Sequence, residues 1–566
     1  MAEKKWVLMV SLAFIMVMSP LSSRIMESAQ VQHLNMGELA SLVLGKFQFW
    51  ATVGNGGEKK TVESRAIGPN MTACHHSYGR PDLLVYCCPP GFEKSVPFVD
   101  FELPDSRSPV KVRRPAHLLD ESFIVKYNKA LSIMKSLPYD DPRSFARQAE
   151  LHCQFCTGAY EQLNYSDTPV NIHRTWLFFP WHRMMIYFHE RILGSLIGDE
   201  SFALPFWAWD IPEAMPMPEY YVDENSAFFH TERDFSHFPP RVADLDYSTD
   251  QNHPHRSNDE QIDVNLKFMY TQMVSGARKT ELFMGCTYRA NDGYCDTTGT
   301  VEQAPHNTLH TWIGSSLNPG REDMGKFYSA AKDPIFYAHH SNIDRLWEAW
   351  REINNRRLDI TDPDWLDSFF FFYDENLKLV KIKVRDVLDI TKLGYSFEEV
   401  DHPWLNHRPP PSVPPKQARQ MLKLKENKNQ VFVPDFRPDG RVLDGSFTVK
   451  VFRPTKRESK EEEEEETVVV YGIEVKGNDY VKFDVYVNLS DETKMNPKFR
   501  EFAGTFAHIP GGGAAMKKKT RLRLGVSELL KDLEADEDES IWVTVSPATV
   551  SCSNVSIEGI KIEYIE

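Results

Sequence analysis

Asp333-Pro334-Ile335-Phe336-Tyr337-Ala338-His339-His340-Ser341-Asn342-Ile343-Asp344-Arg345-Leu346-Trp347 is the stretch from which the fold of this chain is read. Aspartate caps a helix well and proline fits its first position, so a helix starts here. Apolar residues then recur at helical spacing as far as Trp350. Asp344 falls one turn after His340, where a carboxylate commonly holds the far nitrogen of a ligating imidazole. Upstream, His306-Asn307-Thr308-Leu309-His310 sets two imidazoles one turn apart on one helical face. His306, His310 and His340 thus make a triad of neutral nitrogen donors.

A second triad is His152, His173 and His182, the last in Phe178-Phe179-Pro180-Trp181-His182. A lone pair of histidines four residues apart is commonly an ordinary helix surface. Two triads, with His339-His340 ahead of Asp344, point instead to two bound transition-metal ions. Imidazole suits copper, zinc, iron and nickel, and copper(II) binds tightest in the divalent series. No carboxylate stands at ligand spacing, unlike the mixed His/carboxylate di-iron bundles. Structural zinc closes with four ligands and each triad offers three. His152-Cys153-Gln154-Phe155-Cys156 has the outline of a metal knuckle, but no second cysteine pair follows, and no histidine follows Cys156 as haem attachment requires. His189 reads as structural; His75, His76, His253 and His255 read as solvated loop residues.

The 566 residues suffice for a large core and more than one domain, and the net charge of −16 argues against nucleic acid, which needs a basic patch. Much of the acidity is local, in Glu461–Glu466 and Asp536–Glu539, which read as solvated loops. Lys4 and Lys5 before the apolar run Trp6–Met18 form a secretory leader, residues 1–25, too short for a comfortable span. A flexible segment, 26–70, precedes a metal-binding domain at 71–350. Helices are expected near 120–136, 142–160, 182–197, 306–312 and 335–352; four of these carry ligands, which suggests a four-helix bundle with inward histidines and long loops. A smaller segment spans 351–408. Pro409-Pro410-Pro411-Ser412-Val413-Pro414-Pro415 opens a linker, 409–440. From 441 to 566 alternating strands predict an all-β sandwich, with examples at 446–452, 467–475, 480–487, 541–545 and 557–564.

Taken together, His-Cys-x-x-Cys at 152–156, Phe-Pro-Trp-His at 179–182, His-Asn-x-x-His at 306–310 and Asp-Pro-Ile-Phe-Tyr-x-His-His at 333–340 resemble the plant polyphenol oxidases, the catechol oxidase and tyrosinase group of type-3 dicopper enzymes. Asp364-Trp365-Leu366 and Lys482-Phe483-Asp484-Val485 extend the resemblance to nearly the whole chain after the leader. It implies one copper on His152, His173 and His182, the other on His306, His310 and His340, and a thioether between Cys156 and His173. It implies disulfides Cys74–Cys88 and Cys87–Cys153; Cys286 and Cys295 flank a Gly/Asn/Asp loop they can close, leaving Cys552 over. His339 would guide substrate. Glu302 and Asn307 would hold a water able to take the proton of a monophenol, Phe327 would be a bulky gate, and Thr311 would leave the entrance open.

The implied activity is oxidation of catechols to o-quinones with O2, with monophenol hydroxylation as an extension. The tail would cap the site until an activating protease acts at the Pro-rich linker or the Glu461–Glu466 run, with Ile509 of Ala507-His508-Ile509-Pro510-Gly511-Gly512-Gly513 as the blocking side chain. The expected partners are a small phenolic substrate and that protease, with no nucleic acid and no stable membrane partner once the leader is gone. The leader lacks the Ser/Thr-rich character of a chloroplast transit peptide, so the vacuole lumen is the expected destination, with the thylakoid lumen as alternative. Sequons at Asn70, Asn164, Asn488 and Asn554 are usable on a secretory route. Hemocyanin-like oxygen carriage is the rival function, since the triads alone do not separate carrier from oxidase.

Overall fold

A computed structural model describes residues 64–80, 83–250, 256–353, 360–427, 440–454, 464–509 and 519–565. The leader, most of the segment 26–70, and His253 and His255 lie outside the described residues. Residues from Ser64 onward form one unit. Among the described residues no helix is long and apolar enough to cross a membrane.

The catalytic part is built on helix α3, Phe178–Ile197, which is buried over nearly its whole length. A helix buried on every face sits in the middle of a core, and its few charged residues there need partners. It stops at Gly198, whose left-handed backbone (φ +66°) lets its N–H reach the carbonyls of Gly194 and Ser195. Around α3 stand α1 (Glu121–Ser136) and α2 (Phe145–Cys156), capped by Asp120 and Ser144. Further along come α4 (Asn258–Tyr270), α5 (Asn307–Ile313) and α6 (Ile335–Ile353). The start of α6 is as expected: Asp333 accepts from the N–H of Ile335 at 2.9 Å, while Arg233 neutralises its buried carboxylate. α4 is additional to the expected helices; Ser257 and Glu260 form a capping box at its start.

Asp344 departs from its expected role. Its carboxylate accepts from Arg183 of α3 at 2.5 Å, from Arg113 at 2.9 Å and from the Tyr395 hydroxyl at 2.6 Å. Arg183 also holds Glu348, and Arg113 holds Glu190 of α3. Two buried guanidiniums outcompete one neutral imidazole for a carboxylate, because charged partners make the stronger bonds. The network thereby fixes α3 against α6, the helices of His182 and His340.

The tail is a sandwich of two sheets. One has the order β1 (Arg441–Val442), β8 (Val555–Ile557), β3 (Glu465–Val475), β6 (Thr520–Gly525), with β9 (Gly559–Ile565) also on β3. The other has the order β2 (Phe447–Phe452), β7 (Ser540–Pro547), β4 (Val481–Val487), β5 (Phe502–His508). Their facing side chains, such as Val468, Val470, Phe483 and Val485, make a separate core. β5 and β6 are additional to the expected strands. Glu465 and Glu466 are not part of a solvated loop: they begin β3, buried, with Arg278 and Arg453 as counter-charges. The described part of the linker, up to residue 427, is also docked. Pro415 opens α7 (Pro415–Asn427), the Pro410 carbonyl accepts from Arg500 at 2.9 Å, and Ser412 bonds Glu501.

The sandwich packs on the catalytic part through Tyr486 and Phe502, whose rings join the catalytic core, Phe502 lying 5.8 Å from Phe268 of α4. At the centre of this seam is the fully buried ammonium of Lys482, held by Asp246 of the catalytic part at 2.9 Å and Asp484 of β4 at 2.6 Å. Burial alone would lower the Lys482 pKa, but the pull of the two carboxylates raises it above the usual range, so the charge persists. Lys482→Met leaves both carboxylates without their counter-ion in a dry seam and should cost about 3 kcal/mol. Urea denaturation of the full chain reads this directly; an unchanged midpoint would remove the triad from the forces holding the seam.

Candidate metal centre

His152 lies on α2, His182 on α3, His306 and His310 at the start and within α5, and His340 on α6; His173 comes from a loop rather than a helix. Two local devices place the loop donors. Ala304 precedes Pro305 and leaves the helical region (φ −163°, ψ 135°), so Glu302 does not sit one regular turn before His306. Arg174 adopts a left-handed backbone (φ +68°), which costs a non-glycine residue about 1 kcal/mol. Its N–H donates to Glu302 at 2.6 Å and its guanidinium reaches the Tyr294 hydroxyl and His508, which offsets that cost.

The donor atoms gather in two clusters. His152, Cys156, His173 and His182 form one, and His306, His310, His339 and His340 the other; within each, the donor atoms lie within 4.8 Å of one another. The clusters face each other: the rings of His182 and His340 are stacked at 4.2 Å, and those of His173 and His306 lie tilted 5.7 Å apart. All these imidazoles are buried. Burial holds them below their ordinary pKa, His182 at about 3 and His310 at about 4, so they stand as neutral donors.

Hydrogen bonds then decide which nitrogen is bare. The Nδ1–H of His152 donates to the Phe327 carbonyl (2.6 Å), that of His182 to Phe178 (2.8 Å), and that of His310 to Met324 (2.7 Å). His306 Nδ1 pairs with the Asn307 amide oxygen at 3.0 Å. A carbonyl only accepts, so the proton is on Nδ1 and the Nε2 lone pair is free. Each of these Nε2 atoms is buried without a hydrogen-bond partner, as are both ring nitrogens of His173 and His340. Buried donors and acceptors without partners are costly, and two metal ions on three imidazoles each relieve that cost. His339 is different: Trp209 Nε1–H donates to its Nδ1 at 3.2 Å, so its proton is on Nε2 and it has no lone pair to give. Chemistry thus separates His340 from its neighbour, which sequence spacing does not.

The other expected site residues converge here too. Phe327 stacks on His173 at 4.0 Å. Glu302 Oε2 is buried and unpaired, and burial pushes the carboxyl up to about 8 despite the Arg174 amide. The sandwich reaches in through β5: the Ala507 carbonyl accepts from the amides of Asn307 (3.0 Å) and Gln303 (2.9 Å), and Ile509 packs with Phe327, Tyr480 and Ala507. Disulfides join Cys74–Cys88, Cys87–Cys153 and Cys286–Cys295, and Cys552 is a buried free thiol. Thr311 is buried and bonds the Asn307 carbonyl. His189 stacks on Tyr337 at 3.6 Å, away from both clusters. Asn164 and Asn554 are exposed, Asn70 is half-buried, and Asn488 is spent on the backbone of Trp542. Arg174, Trp209 and Gln303 carry no sequence signal, since each acts through a residue far away in the chain.

Comparison with known proteins gives three family matches in series: "common central domain of tyrosinase" over 142–353, "polyphenol oxidase middle domain" over 359–410, and "chloroplastic polyphenol oxidase C-terminal domain" over 440–564. The chain is 44% identical to aureusidin synthase of Antirrhinum majus, covering 88% of each. It is 41% identical to the chloroplastic polyphenol oxidase of Malus domestica, over 93% of this chain and 88% of that protein. The structure of latent apple tyrosinase aligns with a TM-score of 0.74 at 43% identity, over 83% of this chain and 100% of that one. The vacuolar expectation is corrected by these names: the matching C-terminal family and the Malus relative are described as chloroplastic, which points to the chloroplast. The leader, read by its charge, its apolar run and its lack of a Ser/Thr-rich stretch, misled on this point.

Replacing His152 or His306 by alanine should each lower bound copper from two ions per chain to one, while His339→Ala should keep both. Atomic absorption on the purified proteins distinguishes these; loss of copper in the His339 variant would contradict the tautomer argument.

Proposed function

The chain belongs to the plant polyphenol oxidases, and on that premise we propose how its own residues divide the oxidation of o-diphenols to o-quinones by O2. Two copper ions are its cofactor, and when bound they carry the two electrons that pass from each catechol to dioxygen. The observation that carries the reading is the pair of facing triads with bare nitrogens, closed over by β5. His152, His173 and His182 hold one ion, and His306, His310 and His340 the other. A Cys156–His173 thioether would lock the one ligand that comes from a loop, and Cys156 Sγ lies in the donor cluster that contains His173.

Phe327, whose ring lies on that of His173, meets the phenolic ring at the gate, and His339, held by Trp209, orients it. Hydroxylation of a monophenol requires loss of a proton whose free pKa is near 10. Glu302 and Asn307 hold the water that takes it. Support for this comes from the unpaired Glu302 Oε2 and from the Asn307 amide, which the Ala507 carbonyl occupies as long as the sandwich is seated. Ile509 is the side chain we assign to blocking the gate, on the strength of its packing with Phe327. An activating protease would act in the linker or in the Glu461–Glu466 run, at a bond outside the proline stretch and Glu465–Glu466, which are tied into the seam and the sandwich. Carriage of oxygen without turnover is not favoured, since the relatives are oxidases by name.

Oxygen uptake with a catechol should rise on the order of tenfold after limited proteolysis of the copper-loaded chain, equivalent to about 1.4 kcal/mol of masking. Glu302→Gln should then slow the matching monophenol about a hundredfold more than the catechol, the loss expected of a general base. No uptake in either state with both coppers bound would put the carrier reading first; equal slowing of both substrates would remove the base role from Glu302.

A further inference from the structure

The Ala507 carbonyl of β5 accepts from two side chains of the catalytic part, the Gln303 amide at 2.9 Å and the Asn307 amide at 3.0 Å. A carbonyl only accepts, so both side chains aim their NH2 groups at it. Both lie buried beneath the tail, Gln303 4% and Asn307 6% exposed. Neither amide nitrogen has another acceptor among the described residues. Each direction is fixed from behind. The Asn307 amide oxygen pairs with Nδ1 of His306, whose Nε2 is bare, so a metal donor turns the Asn307 NH2 group outward. Gln303 precedes the kink at Ala304, and Gln272 pins that kink by donating to the Ala304 carbonyl at 2.9 Å.

One donor satisfies the carbonyl of an edge strand; here two converge on the same oxygen. Two N–H groups aimed at one point from fixed mounts make a ready receptor for an acceptor oxygen, with no reorganisation left to do. The donors are neutral amides, which suits an uncharged carbonyl. Ala507 also packs in a buried cluster with Phe327, Tyr480 and Ile509, and the Phe327 ring lies on that of His173 at 4.0 Å. The tail thus sets a carbonyl between the gate and the turn that carries His306. Removing the tail leaves the two amides without their acceptor, beside a metal donor and next to the space that adjoins the gate.

We propose that Gln303 and Asn307 form a carbonyl-binding subsite at the mouth of the metal centre, so that the released enzyme favours o-diphenols whose side chain carries a carbonyl, with Ala507 of the tail filling this subsite in the intact chain. The proposal rests on the diphenol-oxidase reading above. Asn307 has two amide hydrogens, so giving one to a substrate carbonyl leaves the other for the water it shares with Glu302. Gln303 acts on specificity through binding, because it touches a part of the substrate that does not react.

The test uses the copper-loaded chain after limited proteolysis. It compares 4-(3,4-dihydroxyphenyl)butan-2-one, and its homologues one carbon shorter and one longer, with 4-butylcatechol. Saturated carbon separates the carbonyl from the ring in every ketone, so the reacting hydroxyls are alike. Gln303→Met keeps the length of the side chain and removes both hydrogens. For at least one ketone it should lower kcat/KM relative to 4-butylcatechol about fivefold, mainly through KM, the loss of one neutral hydrogen bond. Gln303→Glu should lower it further, because a carboxylate repels a carbonyl oxygen. Ketone and hydrocarbon are measured on the same protein, so general damage to a variant cancels. A second readout needs no turnover: in ligand-observed NMR the unreactive 4-phenylbutan-2-one should bind the unaltered protein about fivefold more tightly than the Gln303→Met variant. A ratio that Gln303→Met leaves unmoved for all three ketones, or equal affinity of the two proteins for the phenyl ketone, overturns the subsite. Failure of the unaltered enzyme to oxidise 4-butylcatechol overturns the diphenol-oxidase reading itself.

Discussion

Everything in the catalytic part answers to one constraint: imidazole nitrogens must be kept dry, neutral and unpaired at the middle of the fold. An unpaired buried acceptor is unfavourable by itself, so the surrounding structure has to over-determine each ring. Backbone carbonyls do this from the Nδ1 side, with Phe178 contributing from within α3 and Met324 and Phe327 from the loop above it. Aromatic rings fill the remaining space, Phe336 at 4.2 Å from His340 and Phe178 at 4.8 Å from His306. The low pKa values of these histidines follow from the same dryness.

Helices alone do not deliver that precision. α3 and α6 are held in register by the buried set of Arg113, Arg183, Glu190, Asp344 and Glu348, two cations among three carboxylates. Such networks add little net stability compared with a well-packed apolar core, but they specify one arrangement strongly. Here the arrangement specified is the separation of the two donor triads. The Asp-Trp-Leu segment acts in the same spirit on the third element, since Trp365 Nε1 donates to the Trp176 carbonyl at 2.9 Å, three residues beyond His173.

Much of this is legible in the sequence wherever the signal is local. The helix from Ile335 and the strand that carries Lys482-Phe483-Asp484-Val485 follow from periodicity and capping, and the histidine spacings mark the site. What stays hidden is pairwise and distant. Asp344 looks like a partner for His340 until two arginines from elsewhere are brought to it. Glu465 and Glu466 look like the end of an acidic loop until β3 buries them against Arg278 and Arg453. His339 and His340 cannot be ranked by spacing, and only the Trp209 indole, 130 residues away, ranks them. The helix α4 is a different case, because its Ser257/Glu260 box is visible and outweighs a weak apolar pattern.

Among the described residues β5 is the last strand of its sheet, paired with β4 on one side. In the intact chain its other side is covered by the turn that carries His306, with Gln303 and Asn307 satisfying the Ala507 carbonyl. The catalytic part is therefore the edge protector of the sandwich. Cleavage that opens the oxidase also creates a free domain with an exposed strand edge, the kind of surface that templates pairing between chains. The cap, once shed, is a species prone to self-association, and the seam that silences the enzyme also keeps its cap soluble.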